Sequence, residues 1–458
     1  MTSPSSKPSG RRLVLFCDGT WDNSLRPGNE NPTNVTRLAR ALLPVTKDGI
    51  SQISYYHPGV GSETRNWFTK LIQGAIGTGF IDIMEDAYSF LAYNYSRGDE
   101  LFFFGFSRGS YMARSICGMI ADNGILTRKG MSRFVKLFEL YTNSEKKKEL
   151  KLFIESLKKD GYLIQDDITI QAIGCFDTVG ALGVPQAAGW KIPVSYEKFS
   201  FLNLQLNKKV LHAFHALALD EDRKPFSPTL WFFDQPANPD NFKQVWFTGV
   251  HSNIGGGKLS RAVKGTNHLV AAEEASTTKQ QAMNANVLSD GSLIWMIAQV
   301  KSFLEFDIEF LHCDIRAGSV SSDERARELE LSDAASDRKN VWYKGPLNDN
   351  YADISSHILY RKNPRSVMGY SDPTGLTTES VTNEFLHQSV LDRSLFLRPD
   401  SETDWKDIEH VIPLQNVYWY ANDNLGIPGK PRGSFGKEIE IEGYSLFELE
   451  FWRKEGQF

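Results

Sequence analysis

A chain of 458 residues, 41% hydrophobic and 23% charged, with a formal net charge of -5 and a pI near 6.0, is long enough to bury one large core or two smaller ones. The acidic balance, with no Lys/Arg cluster interleaved with aromatics, excludes a nucleic-acid groove. No apolar run reaches the length of a membrane span, and the opening is polar without the apolar core of a secretion signal, so the expectation is a cytoplasmic protein whose residues 1–11 form a disordered tail.

Arg12-Leu-Val-Leu-Phe-Cys17 reads as a short strand and Asp18-Gly-Thr-Trp-Asp-Asn23 as the polar loop at its C-terminal end, the end where open parallel sheets carry their chemistry. An aspartyl-phosphate phosphatase would need its nucleophile two residues before Asp18, and that position is Phe16. The remaining functional reading makes the backbone N–H groups of Gly19 and Thr20 one half of an oxyanion hole and the N–H of Arg108 the other. Asp18 itself reads equally well as a turn residue bonded to its own backbone.

Residues 34–43 carry a helical pattern and residues 53–56 a second strand ending at His57. Gly74, Gly77 and Gly79 mark a flexible stretch that lacks the Lys-Ser/Thr or G-x-G-x-x-G of a phosphate cradle. Met84, Ala87, Tyr88, Leu91, Ala92 and Tyr95 recur at helical spacing.

Next come the apolar run 101–104, Gly105-Phe-Ser-Arg-Gly109, and Ala113, Ile116, Cys117 and Ile120 at helical intervals. This is the pattern of a nucleophile elbow, in which a strand turns sharply into a helix and the apical serine is pushed out of the sheet. Ser107 is the candidate nucleophile. The strand, helix, strand order predicts a doubly wound, mostly parallel α/β sheet.

Within residues 131–159, Leu150, Phe153, Ile154 and Leu157 line one face under a lysine-rich surface, which predicts a solvated cap helix. Residues 168–176 form the next core strand, with Asp177 at its end as candidate triad acid. Residues 210–223 read as helical and carry His212, His215, Asp220 and Glu221. The two histidines would share a helix face, but the His-Glu-x-x-His arrangement of a metal site is missing. His215 is the second candidate base and Asp220 the second candidate acid. Residues 244–250 form the last clear strand, ending at His251, the candidate base. Serine, acid and histidine then follow in the chain order of an α/β-hydrolase.

Cys17, Cys117, Cys175 and Cys313 show no metal-ligand spacing and indicate a reducing compartment, where the sequons at Asn34 and Asn94 carry no weight. Beyond Phe303 the pattern weakens. Residues 322–338 are a charged helix or solvated segment, 363–378 are rich in turn residues, and 411–420 and 439–451 have strand-like aromatic content.

Asp18-Gly-Thr-Trp-Asp-Asn23, Gly105-Phe-Ser-Arg-Gly109, Phe176-Asp-Thr-Val-Gly180, Ala216-Leu-Ala-Leu-Asp-Glu221 and Val250-His-Ser-Asn-Ile-Gly-Gly-Gly257 together resemble the catalytic domain of the type VI secretion phospholipase-effector family, over roughly residues 13–300. The resemblance implies an α/β-hydrolase fold and a serine esterase or lipase-type activity, and it carries the nucleophile, acid and base onto Ser107, Asp177 and His251. Asn253 stands where the family usually has Asp. Residues 258–286 form a longer polar insert or flap than the family pattern implies.

The expectation is therefore an α/β-hydrolase-like catalytic domain over residues 12–310, with helical cap elements and a C-terminal extension over 311–458 packed on it. It would cleave carboxylic esters, lipid or phospholipid esters among them, without metal or cofactor. Its partner is a small-molecule or lipid ester, with transient membrane-surface contact if the C-terminal tryptophans are exposed. The alternative is a catalytically weak or inactive binding or regulatory protein on the same fold.

Overall fold

The computed structural model describes residues 10–19, 32–58, 76–179, 205–233, 238, 240–257, 287–317, 365, 367, 382–390, 418–421, 428–432 and 440–454. In chain order, the first half contains β1 (Arg12–Cys17), α1 (Asn34–Ala41), β2 (Gln52–His57), α2 (Ile76–Asn94), β3 (Glu100–Phe106), α3 (Arg108–Asn123), β4 (Ile125–Leu126), α4 (Phe134–Tyr141), α5 (Lys147–Lys159), β5 (Leu163–Ile164) and β6 (Thr169–Phe176). The second half adds β7 (Val210–Ala218), β8 (Phe242–Phe247), α6 (His251–Gly255), α7 (Val287–Val300), α8 (Ile308–Ala317), β9 (Glu384–His387), β10 (Tyr418–Ala421), β11 (Pro428–Arg432), β12 (Glu440–Glu442) and α9 (Leu446–Lys454).

Eight strands form one sheet in the order β12-β9-β8-β7-β6-β3-β1-β2, with each neighbouring pair parallel. A parallel sheet must be covered on both faces, which is why its strands are apolar throughout. Leu13, Leu15, Cys17, Leu101, Phe103, Ile173 and Cys175 face one helical layer, with Met84 and Tyr88 of α2 and Ile116 and Ile120 of α3. Val14, Phe16, Phe102, Phe104, Ala172 and Phe176 face the other, with Leu38 of α1, Trp295 and Met296 of α7, and Trp452 of α9. Each fully buried phenylalanine contributes on the order of 2–3 kcal/mol. The doubly wound α/β expectation holds. The order reverses between β1 and β3, which places the crevice of an open α/β sheet at the C-terminal ends of those two strands.

The elbow explains two glycines. A Cβ on Gly105 would sit 2.5 Å from Ser110 Cα, and one on Gly109 would sit 2.2 Å from the Cys17 carbonyl oxygen. At Gly109 the obstacle is the backbone of β1, which cannot give way without distorting the sheet. Gly109→Ala is therefore expected to destabilise the fold by about 3 kcal/mol, measured as a lower midpoint in urea unfolding.

Several local expectations are corrected. Residues 210–218 form β7, not a helix, because β6 and β8 saturate the backbone on both sides. On a strand, residues three apart face opposite ways. Accordingly His212 packs on Phe303, with ring centroids 4.4 Å apart, and His215 on Trp231, at 5.4 Å. The two histidines cannot share a metal. Gly77 and Gly79 lie inside α2, and Gly74 is outside the described residues.

Residues 439–451 split into β12 and the start of α9, and of residues 411–420 only the beginning of β10 is described. The helices of residues 131–159 do not cap the elbow. α4 packs on α2 and α5 on α4, and Tyr141 at the end of α4 donates to Asp122 at the far end of α3, whose 16 residues span ~24 Å from Ser107. Arg11, assigned to the tail, is anchored to Asp99 at 2.6 Å.

β8 is not the last strand, since β9 and β12 extend the same sheet. The β8–β9 junction is tied by Trp246 Nε1, which donates to the buried Glu384 carboxylate at 2.7 Å across 138 residues of chain. Trp452 is 0% exposed, so this C-terminal tryptophan offers nothing to a membrane surface. Among the described residues no helix is long and apolar enough to cross a membrane. The insert over 258–286 and the segment 322–338 lie outside the described residues, as do nearly all of residues 363–378.

Candidate active site

The site is built at the C-terminal edge of the sheet. Ser107 follows β3 at φ 56, ψ -122, a left-handed conformation that costs a residue with a Cβ about 1–3 kcal/mol. Its N–H donates to the Phe176 carbonyl at 3.0 Å, tying the elbow to the end of β6. Asp177, the next residue after β6, also has a positive φ, of 41. α6 begins directly at His251, just past the end of β8.

These three strand ends bring the side chains together. His251 Nε2 lies 2.8 Å from Ser107 Oγ, and His251 Nδ1 lies 2.6 Å from Asp177 Oδ2. A carboxylate only accepts, so Nδ1 carries the proton and Nε2 is left to accept from the serine hydroxyl. The imidazole is packed between Phe106, at 4.7 Å, and the edge of Phe226, at 4.9 Å. Ser107 and His251 are 4% and 7% exposed.

Electrostatics keep the two ionisable members in opposite states. Burial pushes the Asp177 carboxyl up, but the Arg365 guanidinium and the hydrogen bond from His251 overcome it and hold the acid well below the ordinary carboxylate range. Burial pulls His251 below the usual histidine value, with Asp177 opposing. The result is a neutral imidazole beside an ionised carboxylate at neutral pH.

Two further acids brace the histidine turn. Glu221 accepts from the His251 backbone N–H at 3.2 Å and pairs with Arg223 at 2.8 Å. Asp220 accepts from the Gly249 N–H at 2.6 Å. Asp220, the second candidate acid, is thus bonded to backbone beside the histidine turn, while the imidazole takes Asp177.

His215, the second candidate base, is 0% exposed. Its Nε2 accepts from the Thr178 N–H at 3.0 Å and its Nδ1 faces Gln244 Oε1 at 3.2 Å. Burial pushes its pKa down to about 3. It is a neutral brace under the Asp177 turn.

Asn253 accepts from the Val250 N–H at 3.2 Å, a capping bond to the turn that presents His251. Asn34 donates to the carbonyls of Ile254 and Ser289, at 2.9 and 2.7 Å, and so pins that turn from the opposite side. Its amide is fully committed inside the protein, leaving no nitrogen for a glycan.

The oxyanion expectations fare unevenly. Arg108 is the first residue of α3, where backbone N–H groups have no partner inside the helix. Gly19, by contrast, donates its N–H to the Asp18 carboxylate at 2.7 Å, so the expectation that it is free to receive an oxyanion is corrected. Asp18 also accepts from Thr33 and Thr36, each at 2.8 Å, and from Tyr56 at 2.5 Å. Burial raises its pKa and these donors oppose the rise, which makes Asp18 the hub of the loop after β1. Thr20 lies outside the described residues. Among the described residues no group of three or more His, Cys, Asp or Glu side chains is arranged to hold a metal.

The residue that sequence reasoning missed is Arg365, which meets Asp177 at 2.5 Å. It sits in Asn363-Pro-Arg365, a turn-like stretch with no periodicity or motif to mark it.

Comparison with known proteins gives a family. The profile described as "T6SS, Phospholipase effector Tle1-like, catalytic domain" matches residues 11–299. A Saccharomyces cerevisiae protein, "Uncharacterized protein YEL023C", is 30% identical over 264 residues, covering 53% of this chain and 36% of the yeast protein. Among solved structures, the Tle1 effector bound to the VgrG spike of the type VI secretion system aligns at TM-score 0.30 and 19% identity, over 54% of this chain and 51% of the effector. A crystal structure of an uncharacterized Pseudomonas aeruginosa protein aligns at TM-score 0.34 and 16% identity, over 69% of this chain and 50% of that one. The chain thus spans little more than a third of the yeast protein and about half of each solved chain.

Proposed function

Because the chain belongs to the family of type VI secretion phospholipase effector Tle1-like catalytic domains, we propose that it is a serine hydrolase of carboxylic esters, with lipid esters as its substrate class. The observation that carries this reading is the hydrogen-bonded series from Ser107 through His251 to Asp177, at 2.8 and 2.6 Å.

In the proposed reaction His251 Nε2 takes the Ser107 proton as Oγ attacks the ester carbonyl, and Asp177 stabilises the imidazolium that forms. The Arg108 N–H, at the start of α3, is the proposed donor to the developing oxyanion. Collapse of the tetrahedral intermediate breaks the bond to the alcohol oxygen, which leaves with the proton from Nε2. A water molecule then gives a proton to Nε2 and attacks the acyl-enzyme, releasing the acid and restoring the serine. No step calls for a metal or an organic cofactor.

A fluorophosphonate probe tests the reading against that of an inactive binding protein. Labelling of the wild-type chain at Ser107 is expected, and a chain that stays unlabelled is not a serine hydrolase. The pH profile is a second test. The base works only when neutral, and burial holds His251 below its ordinary value of 6.5. Log kcat/KM is therefore expected to rise with pH through an inflection below about 6.5 and to be flat at neutral pH. An inflection well above that value would contradict the buried, neutral imidazole.

A further inference from the structure

We infer that Arg365 is a positioning residue of the active site, a fourth member that grips both oxygens of the Asp177 carboxylate, sharing Oδ2 with His251, and fixes the carboxylate's plane. The inference rests on the Ser107, His251, Asp177 reading above. Arg365 also lies outside residues 11–299, the stretch matched by the family profile.

Both Nη atoms of the guanidinium are doubly engaged. Arg365 is 2% exposed. Its Nη1 donates to Asp177 Oδ1 at 2.5 Å and to the Ala218 carbonyl at 2.7 Å. Its Nη2 donates to Asp177 Oδ2 at 2.9 Å and to the Phe226 carbonyl at 2.6 Å. Val367, in the same segment, is buried in a cluster with Leu217, Trp246 and Leu386. The guanidinium is thus fixed to the end of β7 and to the segment carrying Phe226, and it presents a rigid fork to the carboxylate.

A carboxylate held by one backbone N–H, that of Ala218 at 3.0 Å, could still rotate and misdirect the imidazole. A bidentate fork removes that freedom, and only arginine supplies it, since a lysine ammonium is a point charge. The fork also solves a charge problem. While His251 is neutral, Asp177 would be a buried anion without a countercharge, and Arg365 provides one 188 residues away in sequence.

The same cation disfavours the imidazolium, so geometry is gained at some expense of basicity. The other charged groups around His251 are Asp177 from β6, and Glu221 with its partner Arg223 from beyond β7, with Asp220 committed to the Gly249 N–H. Removing Arg365 leaves the acids in excess, which pulls the histidine pKa upward.

The test uses the full chain as wild type, Arg365→Lys, Arg365→Met and Ser107→Ala. The measurements are kcat and KM for a short-chain p-nitrophenyl ester across pH, and the downfield proton resonance of His251 Nδ1–H. Arg365→Met is expected to lower kcat about 10²-fold with little change in KM, and to move the acid limb up by roughly one pH unit. Arg365→Lys is expected to keep the acid limb near its wild-type position and to recover only part of kcat, since it restores charge without the fork.

If Arg365→Met keeps wild-type kcat and acid limb while Ser107→Ala is inactive, the Arg365 inference is overturned and the serine reading stands. A fall in kcat with an unmoved acid limb and resonance marks a merely structural role and overturns it too. If Ser107→Ala retains full activity, the serine reading itself has failed. Should Arg365→Met not fold, Arg365→Lys decides: wild-type kcat with an unaltered resonance overturns the inference.

Discussion

Ser107→Ala is expected to lower kcat for an activated ester by about 10⁶-fold and to abolish fluorophosphonate labelling, with the circular dichroism spectrum unchanged. The Oγ is the only atom lost, and among the described contacts its partner is His251 Nε2, at 2.8 Å, so no core packing or backbone bond goes with it. Ser107→Gly separates reactivity from strain. Glycine adopts φ 56, ψ -122 without steric cost, so this variant is expected to be inactive yet more stable by about 1 kcal/mol, after allowance for its greater chain entropy. The urea midpoint checks this. A serine variant that still turns over the ester would remove the basis of the proposed chemistry.

The second large effect distinguishes two histidines. His251→Ala is expected to cost about 10⁴- to 10⁶-fold in kcat, because the general base is lost and Asp177 has nothing to orient. His215→Ala is expected to act on stability instead. It strips a partner from the buried Thr178 N–H and from Gln244, at a cost of about 2–4 kcal/mol. Activity per folded molecule should stay within about tenfold, or 1.4 kcal/mol on the barrier. Burst titration of active sites alongside urea unfolding separates the two quantities. If His215→Ala were as inactive as His251→Ala while equally stable to wild type, the assignment of roles would be reversed.

What could be read from the sequence followed from how local each signal is. The elbow is legible because one short segment holds everything it needs: a strand buried on both faces, glycines where a Cβ would strike backbone, and a helix starting at once. Asp177 and His251 are legible as polar residues that end apolar runs, and chain order relates them to Ser107.

β7 is misread as helix because Ala213, Ala216, Leu217 and Ala218 are good helix formers, and a strand buried on both faces shows no alternation to contradict them. β9 and β12 are too short to carry a pattern, at 4 and 3 residues. The pairing of β9 is decided by β8 and that of β12 by β9, not by their own propensity. The Gly19 expectation failed for a different reason: the acidic side chain of Asp18 competes for the same N–H, and sequence does not say which acceptor wins. Arg365 has no local signature, since its role exists only once a partner 188 residues away has folded beside it.

The sheet order also bears on how the molecule assembles. β8 pairs with β7 on one side but finds its second neighbour, β9, only when the segment bearing Glu384 arrives, 138 residues after Trp246, and β9 in turn waits for β12. Until those late segments arrive, one flank of an otherwise finished sheet exposes unpaired amides and carbonyls, a template for sticking to other nascent chains. Such distant pairings raise the contact order and slow the final step of folding. During synthesis the half that bears the serine therefore emerges first, and the segments that extend the open flank, β9 and β12, follow it.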